Sequence, residues 1–218
     1  MNFEKARFNM VEQQIRPWDV LDFDVLDALS DIAREYFVGE QHQGLAYADQ
    51  TLPLPNGSHM LEPRIVARLV QGLTLKNTHK VLEIGTGSGY ATAVLAKLAE
   101  QVISVDIDVE QQNRAAAALQ KSGIENISLQ VGDGLREQNT AAPFDAIYVG
   151  GAIAEIPETL KNQLSDNGRL VAVVGTAPVQ RAILLEKNGN EYKQSVLFDT
   201  LIPSLNSQVA KAKDPFNF

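Results

Sequence analysis

The stretch Val81-Leu82-Glu83-Ile84-Gly85-Thr86-Gly87-Ser88-Gly89-Tyr90 decides how the central part of this chain folds. It begins as an apolar run with one carboxylate and continues as a loop with glycine at every second position. Residues 91–100 contain no glycine or proline and have the apolar spacing of a helix. Because glycine permits tight turns that let a ligand approach the main chain, the stretch predicts a strand, a nucleotide-binding loop and a helix.

A second strand is predicted at Gln101–Asp106, and it ends in a carboxylate. Asp106 follows Gly85 at a distance of about 21 residues, close to the spacing at which such units place the acid that binds ribose hydroxyls. The sequence therefore predicts that the chain binds a nucleoside-containing cofactor.

The details of the loop favour S-adenosyl-L-methionine over a dinucleotide. A dinucleotide loop reads Gly-x-Gly-x-x-Gly, whereas the third glycine of this loop comes one position earlier. The carboxylate within the preceding strand needs a cation or donors nearby, and the sulfonium and amino groups of S-adenosyl-L-methionine fit that need better than a pyrophosphate. An NAD-dependent oxidoreductase is thus disfavoured. The residues predicted to bind the cofactor are Glu83, Gly85, Thr86, Gly87, Gly89, Asp106, Ile107, Asp133 and Gly134.

Composition narrows the class of protein. A length of 218 residues fits one α/β domain, and 44% hydrophobic with 21% charged residues is ordinary for a soluble globular protein. No window approaches the roughly 18 apolar residues of a membrane span, so we expect no membrane partner and a cytoplasmic location. The chain has no cysteine, which excludes disulfides and thiolate zinc sites, and no metal site is predicted. A net charge of −8 argues against nucleic acid as a partner.

The pattern divides this single domain into three parts. Residues 1–75 are predicted to be mainly helical, with Trp18 in the core and an irregular segment at 38–57. Residues 76–205 alternate strands and helices, as in a parallel sheet with helical crossovers. Within them we expect strands at 127–131, 144–149 and 169–175, a helix at 157–164, and a hairpin around Asn188-Gly189-Asn190. Residues 206–218 form a tail without clear periodicity.

Besides the glycine loop, the chain contains several further motifs: Arg34-Glu35-Tyr36-Phe37-Val38, Tyr47-Ala48-Asp49, residues 63–68, Gly132-Asp133-Gly134, Pro143-Phe144-Asp145-Ala146-Ile147, Glu155-Ile156-Pro157 and Gly168-Arg169-Leu170. Together, over residues 10–175, they resemble the protein-L-isoaspartate O-methyltransferase family.

The resemblance implies a Rossmann-like seven-stranded methyltransferase fold that binds S-adenosyl-L-methionine over the carboxyl ends of its strands. It further implies methyl transfer to isoaspartyl residues of damaged proteins or peptides, which begins their repair. Gly85, Gly87 and Gly89 would line the amino-acid and ribose parts of the cofactor, Asp106 would accept from the ribose hydroxyls, and Asp133 would lie beside the adenine.

The substrate loop departs from the family pattern. The family usually reads Gly-Gln-Thr-Ile-Ser-Gln-Pro, whereas this chain has Gly57-Ser58-His59-Met60-Leu61-Glu62-Pro63. Leu61 takes the place of the family's serine and cannot donate a hydrogen bond. Since a carboxylate acceptor needs donors to orient it, our hypothesis is that His59 or Ser58 supplies the missing donor. Ser58, His59 and Leu61 are therefore the candidate catalytic residues.

Two other functions stay open at this point. One is a methyltransferase of the same fold with a different acceptor, which the altered loop favours. The other is a cofactor-binding protein without catalysis. A missing Ser-His-Asp set does not argue against methyl transfer to a carboxylate, because such an acceptor is already ionised at neutral pH and needs no general base.

Overall fold

The computed structural model describes residues 2–205, so the tail predicted at 206–218 lies outside the described part. The N-terminal part is largely helical, as predicted, with one small two-stranded sheet added. Its elements are α1 (Phe3–Asn9), a π-helical segment (Met10–Ile15), α2 (Phe23–Asp31), 3₁₀ segments (Arg16–Trp18, Arg34–Phe37, Glu40–Leu45), β1 (Leu52–Pro53), β2 (His59–Met60) and α3 (Pro63–Leu73).

The remaining elements alternate strand and helix up to the final hairpin. They are β3 (Lys80–Ile84), α4 (Tyr90–Leu98), β4 (Gln101–Asp106), α5 (Val109–Lys121), β5 (Ile127–Val131), β6 (Phe144–Ile153), α6 (Glu158–Lys161), β7 (Leu164–Thr176), β8 (Val179–Asn188) and β9 (Glu191–Thr200). The predicted bounds of β4 and β5 are confirmed at both ends.

The main sheet has seven strands in the order β5-β4-β3-β6-β7-β8-β9. Its first five strands are parallel, and β8 runs antiparallel to both of its neighbours. The predicted α/β fold, with a helical N-terminal segment and a closing antiparallel hairpin, is confirmed. Strand order reverses beside β3, where one crossover leads to β4 and a later one returns to β6. In open parallel sheets the ligand crevice lies outside the carboxyl ends of the strands at such a reversal.

Apolar side chains cover both faces of this sheet, because neighbouring residues of a strand point to opposite faces. Val81 belongs to the cluster beneath the N-terminal helices, and Leu82 belongs to the cluster on the other face with Leu160 of α6. Helix α3 closes the first cluster. It begins with Pro63, which has no backbone N–H, at a position where that group would have no acceptor within the helix. The helix buries Ile65, Val66, Leu69, Val70 and Leu73.

Four sequence predictions are wrong in detail. The strand expected at 169–175 covers Leu164–Thr176 as β7. The helix expected at 157–164 ends at Lys161, because Leu164 pairs with Phe144 and starts β7. Strand β6 continues through Gly150 and Gly151 to Ile153. Trp18 is 42% exposed and lies against the guanidinium of Arg64, 4.1 Å from its carbon to the ring centroid, so it is no core residue. Among residues 2–205, none of the helices has the length and apolarity to cross a membrane.

Candidate active site

A cavity of about 420 Å³ lies at the carboxyl ends of β3 and β4, where the strand order reverses. Nine of the twelve predicted site residues line it: Ser58, His59, Leu61, Gly85, Gly87, Asp106, Ile107, Asp133 and Gly134. Glu83, Thr86 and Gly89 do not. The cavity thus brings together the predicted cofactor residues and the substrate loop.

The glycine loop presents its main chain to the cavity at Gly85 and Gly87. Gly85 has a φ of 90°, and a Cβ on it would lie 2.6 Å from Cδ1 of Leu205. A Cβ on Gly150, in the neighbouring strand β6, would lie 2.7 Å from the carbonyl oxygen of Gly85. The backbone of Gly85 cannot move aside by rotating about side-chain bonds, as a flexible side chain can. These close approaches make a cradle for a ligand at the end of the strands.

Asp106 is fixed at the end of β4 by two backbone amides. The amide of Gly87 donates to its Oδ2 at 3.0 Å, and the amide of Asp108 donates to its Oδ1 at 3.0 Å. Each carboxylate oxygen can accept more than one hydrogen bond, and the residue lines the cavity. The carboxylate can therefore accept hydroxyl donors from a ligand without losing its position.

Asp133 follows β5 and is 8% exposed. Its Oδ1 accepts from the amide of Leu135 at 3.2 Å. Its Oδ2 is buried without a hydrogen-bond partner in the described part of the chain, and Nε of Arg136 lies 3.7 Å away from it. A buried acceptor of this kind calls for a donor. The amino group of an adenine ring has the required chemistry, so the residues present fit a nucleoside group.

Glu83 supports the glycine loop from beneath, away from the cavity. Its side chain is fully buried, and its Oε2 accepts from the hydroxyls of Thr92 and Ser104, each at 2.5 Å. Ser104 in turn shares a hydrogen bond of 2.7 Å with Thr86 of the loop. Burial raises the pKa of Glu83 to about 8, although the two hydroxyl donors lower it. The donor-rich surroundings predicted for this carboxylate are therefore the chain's own hydroxyls.

The substrate loop is held by its own hydrogen bonds. The hydroxyl of Ser58 donates to Oδ1 of Asn56 at 2.6 Å, and the amide of Ser58 donates to the same atom at 3.0 Å. His59 pairs with Pro53 in the small sheet and has an exposed side chain. Leu61 is 6% exposed. Of the two donors considered for the acceptor, the hydroxyl of Ser58 is thus already engaged and His59 is accessible.

Arg34 connects this loop to the cofactor side, a role that sequence reasoning missed. The side chain is fully buried, and it donates from Nη2 to the carbonyl of Leu61 and from Nε to the carbonyl of Ala46, both at 2.8 Å. Its guanidinium carbon lies 4.5 Å from the ring centroid of Tyr90, the first residue of α4. Burial lowers the pKa of Arg34, and the neighbouring tyrosines oppose that shift. The sequence motif that contains Arg34 does not indicate that its side chain binds the carbonyls of Ala46 and Leu61.

Sequence reasoning also missed a segment that closes one side of the cavity. Pro203, Ser204 and Leu205 lie beside β6. The amide of Ala152 donates to the carbonyl of Pro203 at 3.0 Å, and the amide of Leu205 donates to the carbonyl of Ala152 at 2.8 Å. All three residues line the cavity. The one feature of the sequence that could have indicated this segment is the Gly150-Gly151 pair, since paired glycines allow another stretch of backbone to approach closely. A Cβ on Gly151 would lie 3.0 Å from the amide nitrogen of Leu205.

The comparisons with known proteins agree with this geometry. The sequence model of the family described as protein-L-isoaspartate(D-aspartate) O-methyltransferase matches residues 6–206. The chain belongs to this methyltransferase family. A protein-L-isoaspartate O-methyltransferase 1 from Syntrophobacter fumaroxidans is 41% identical over 197 residues, which cover 90% of this chain and 92% of that protein. A protein-L-isoaspartate O-methyltransferase from Opitutus terrae is 39% identical over 207 residues, covering 92% and 89%.

Solved structures of the protein-L-isoaspartate O-methyltransferase family share the fold. One superposes with a TM-score of 0.80 at 25% identity and covers 94% of this chain and 66% of that one. Another, a putative family member from Plasmodium falciparum in complex with S-adenosyl-L-homocysteine, superposes with a TM-score of 0.77 at 23% identity and covers 94% and 99%. The resemblance predicted from the motifs is confirmed over nearly the whole described chain.

Proposed function

We propose that this protein transfers a methyl group from S-adenosyl-L-methionine to the free carboxylate of L-isoaspartyl residues in damaged proteins or peptides. Membership of the protein-L-isoaspartate O-methyltransferase family supports the reaction. The observation that best supports the assignment of this reaction to particular residues is that one cavity is lined by the glycine loop, Asp106, Asp133 and the substrate loop. A cytoplasmic location stays a prediction from the sequence.

The cofactor side of the cavity has the groups that S-adenosyl-L-methionine requires. Asp106 would accept from the ribose hydroxyls, Oδ2 of Asp133 would accept from the adenine amino group, and the main chain at Gly85 and Gly87 would contact the remainder of the cofactor. When bound, this cofactor supplies a methyl group on a positively charged sulfur. Glu83 acts indirectly, because its hydroxyl partners hold the loop from below.

The acceptor side needs to orient a carboxylate. In the methyl transfer a carboxylate oxygen forms a bond to the methyl carbon while the sulfur–methyl bond breaks, so no proton has to move. His59 is exposed at the rim of the cavity and can donate a hydrogen bond from its ring. Leu61 contributes an apolar wall that excludes water, which strengthens the interaction of opposite charges in the site.

The function is tested with labelled S-adenosyl-L-methionine and two matched peptides, one containing isoaspartate and the other aspartate at the same position. Base-labile methyl ester should form on the isoaspartyl peptide and not on the aspartyl peptide. One S-adenosyl-L-homocysteine should be released for each ester formed. Equal labelling of both peptides, or no ester on either, would refute the proposal.

A second candidate function is methyl transfer to another acceptor, which the leucine at the position of the family's serine favours. In that case S-adenosyl-L-homocysteine binds tightly while neither peptide is esterified. The same assay therefore separates the two functions, and turnover on any acceptor excludes a purely cofactor-binding role.

A further inference from the structure

A second cavity adjoins the cofactor cavity on the acceptor side. It has a volume of about 490 Å³, and its polar lining includes Thr51, Glu62, Gln180 and Ser204. His59, Pro203 and Ser204 line both cavities. An acceptor peptide whose carboxylate reaches the cofactor past His59 has room for its neighbouring residues in this second cavity.

The charges around the two cavities are unbalanced. Among the described residues that line them, the formally charged side chains are all acids, namely Asp106, Asp108, Asp133 and Glu62, and none is lysine or arginine. The first three belong to the cofactor side. Glu62 is the charged side chain of the second cavity, so it is the group that a residue next to the isoaspartate meets.

The carboxylate of Glu62 lines the second cavity and has an oxygen without a hydrogen-bond donor. Glu62 precedes α3, yet its side chain makes no capping hydrogen bond, and its Oε2 is buried without a hydrogen-bond partner in residues 2–205. Burial lowers the pKa of Arg34 and the charge of nearby Glu62 opposes that shift, but neither arginine of this region forms a hydrogen bond or ion pair with Glu62 in residues 2–205. Arg34 donates to the carbonyls of Ala46 and Leu61, and Arg64 forms an ion pair of 3.1 Å with Asp49. A buried carboxylate oxygen without a donor favours a cationic partner.

We propose that Glu62 makes the enzyme prefer isoaspartyl acceptors that carry a cationic side chain next to the isoaspartate. This inference rests on the proposed function and names a subclass of its substrate. A neighbouring lysine or arginine is attracted to Glu62, whereas a neighbouring glutamate is repelled by it.

The test uses three isoaspartyl peptides that differ only in having lysine, alanine or glutamate next to the isoaspartate. For the wild-type protein at low salt we expect kcat/KM to fall in that order, by roughly tenfold from lysine to glutamate, as expected for a partly screened charge pair. The spread should shrink to about twofold in Glu62→Gln and should also shrink as salt is added.

Glu125→Gln is the matched control, because Glu125 is exposed and lines neither cavity. It should keep the full spread. Binding of S-adenosyl-L-homocysteine to Glu62→Gln should equal that of the wild type, which shows that the variant is folded. Equal kcat/KM for the three peptides, or a spread that survives in Glu62→Gln, would overturn the inference alone. No ester on any of the three peptides would overturn the proposed function and this inference together.

Discussion

The two walls of the main cavity are built in different ways. On the cofactor wall, the ends of β3 and β4 and the glycine loop are fixed by main-chain pairing, by close approaches at Gly85 and Gly150, and by the buried hydroxyl network of Glu83. On the acceptor wall, residues 56–61 are a short segment held by a two-residue strand pair, Asn56 and one arginine.

This difference explains why the acceptor wall can change without loss of the fold. A side chain in the substrate loop can be replaced while the sheet beneath the cofactor stays as it is. The cofactor wall has less freedom, because Gly150 closely approaches the backbone of Gly85, and Asp106 accepts hydrogen bonds from two main-chain amides. Substitutions in the first wall should therefore alter stability and cofactor affinity, and substitutions in the second should alter acceptor use.

The largest expected effect concerns Glu83, the foundation of the cofactor wall. Its pKa is raised from 4.5 to about 8 in the folded protein, so folding must keep it protonated. Between pH 4.5 and pH 8 the carboxyl group of Glu83 ionises in the unfolded chain but stays protonated in the folded one, so rising pH favours unfolding. This loss of stability is absent below pH 4.5 and complete above pH 8, where it reaches about 3–5 kcal/mol. The free energy of unfolding should fall over this range in the wild type and fall less in Glu83→Gln. Urea unfolding at pH 5 and pH 8 measures this, and identical pH dependence in both proteins would contradict the assignment.

The next effect is steric. In Gly150→Ala the new Cβ would lie 2.7 Å from the carbonyl oxygen of Gly85, so the glycine loop must shift at a cost of about 3 kcal/mol. Thermal unfolding and titration with S-adenosyl-L-homocysteine should both show the loss. Gly44→Ala is the control, because a Cβ there meets nothing within 4 Å. If both variants resemble the wild type, the cradle is not as tight as described.

Asp106→Asn keeps the size of the side chain but removes its charge. Since hydrogen bonds to charged groups contribute about 1.5–3 kcal/mol, we expect the Kd for S-adenosyl-L-homocysteine to rise by roughly 10–100-fold. Calorimetric titration measures it, with Asp27→Asn as the control because Asp27 is exposed on α2. An unchanged Kd in Asp106→Asn would remove this residue from the cofactor site.

On the acceptor wall the expected effect is smaller. In His59→Ala the acceptor carboxylate loses one donor, and kcat/KM for an isoaspartyl peptide should fall by roughly fivefold to tenfold. Ser58→Ala should change it by less than about twofold, because the Ser58 hydroxyl is bonded to Asn56 within the loop. Steady-state assays on both variants decide between the two residues. Full activity in the double variant would refute the hypothesis that either supplies the donor.

The same contrast describes what the sequence could predict. The cofactor wall is local in sequence, since the glycine loop and Asp106 follow successive strands, and their placement at one cavity could be predicted from spacing. Glu83 was the exception, because periodicity does not tell which hydroxyls face a buried acid. Thr92 and Ser104 come from two different elements.

The acceptor wall, and the segment 203–205 that closes one side of the cavity, depend on contacts between residues that are far apart in sequence. Leu205 reaches Gly85 across 120 residues because β6 continues past its expected end and pairs with the segment 203–205. Arg34 reaches the carbonyl of Leu61 from another helical segment. Such contacts are set by tertiary packing, and neither spacing nor residue type in one segment indicates them.

The separation of the two walls is tested most directly by titrating S-adenosyl-L-homocysteine into His59→Ala, whose isoaspartyl methylation is expected to be impaired. We predict a Kd within about twofold of the wild-type value, since removing a rim side chain leaves the cofactor contacts in place. A Kd that weakens in proportion to the loss of methylation would contradict the division and would place His59 in the cofactor site.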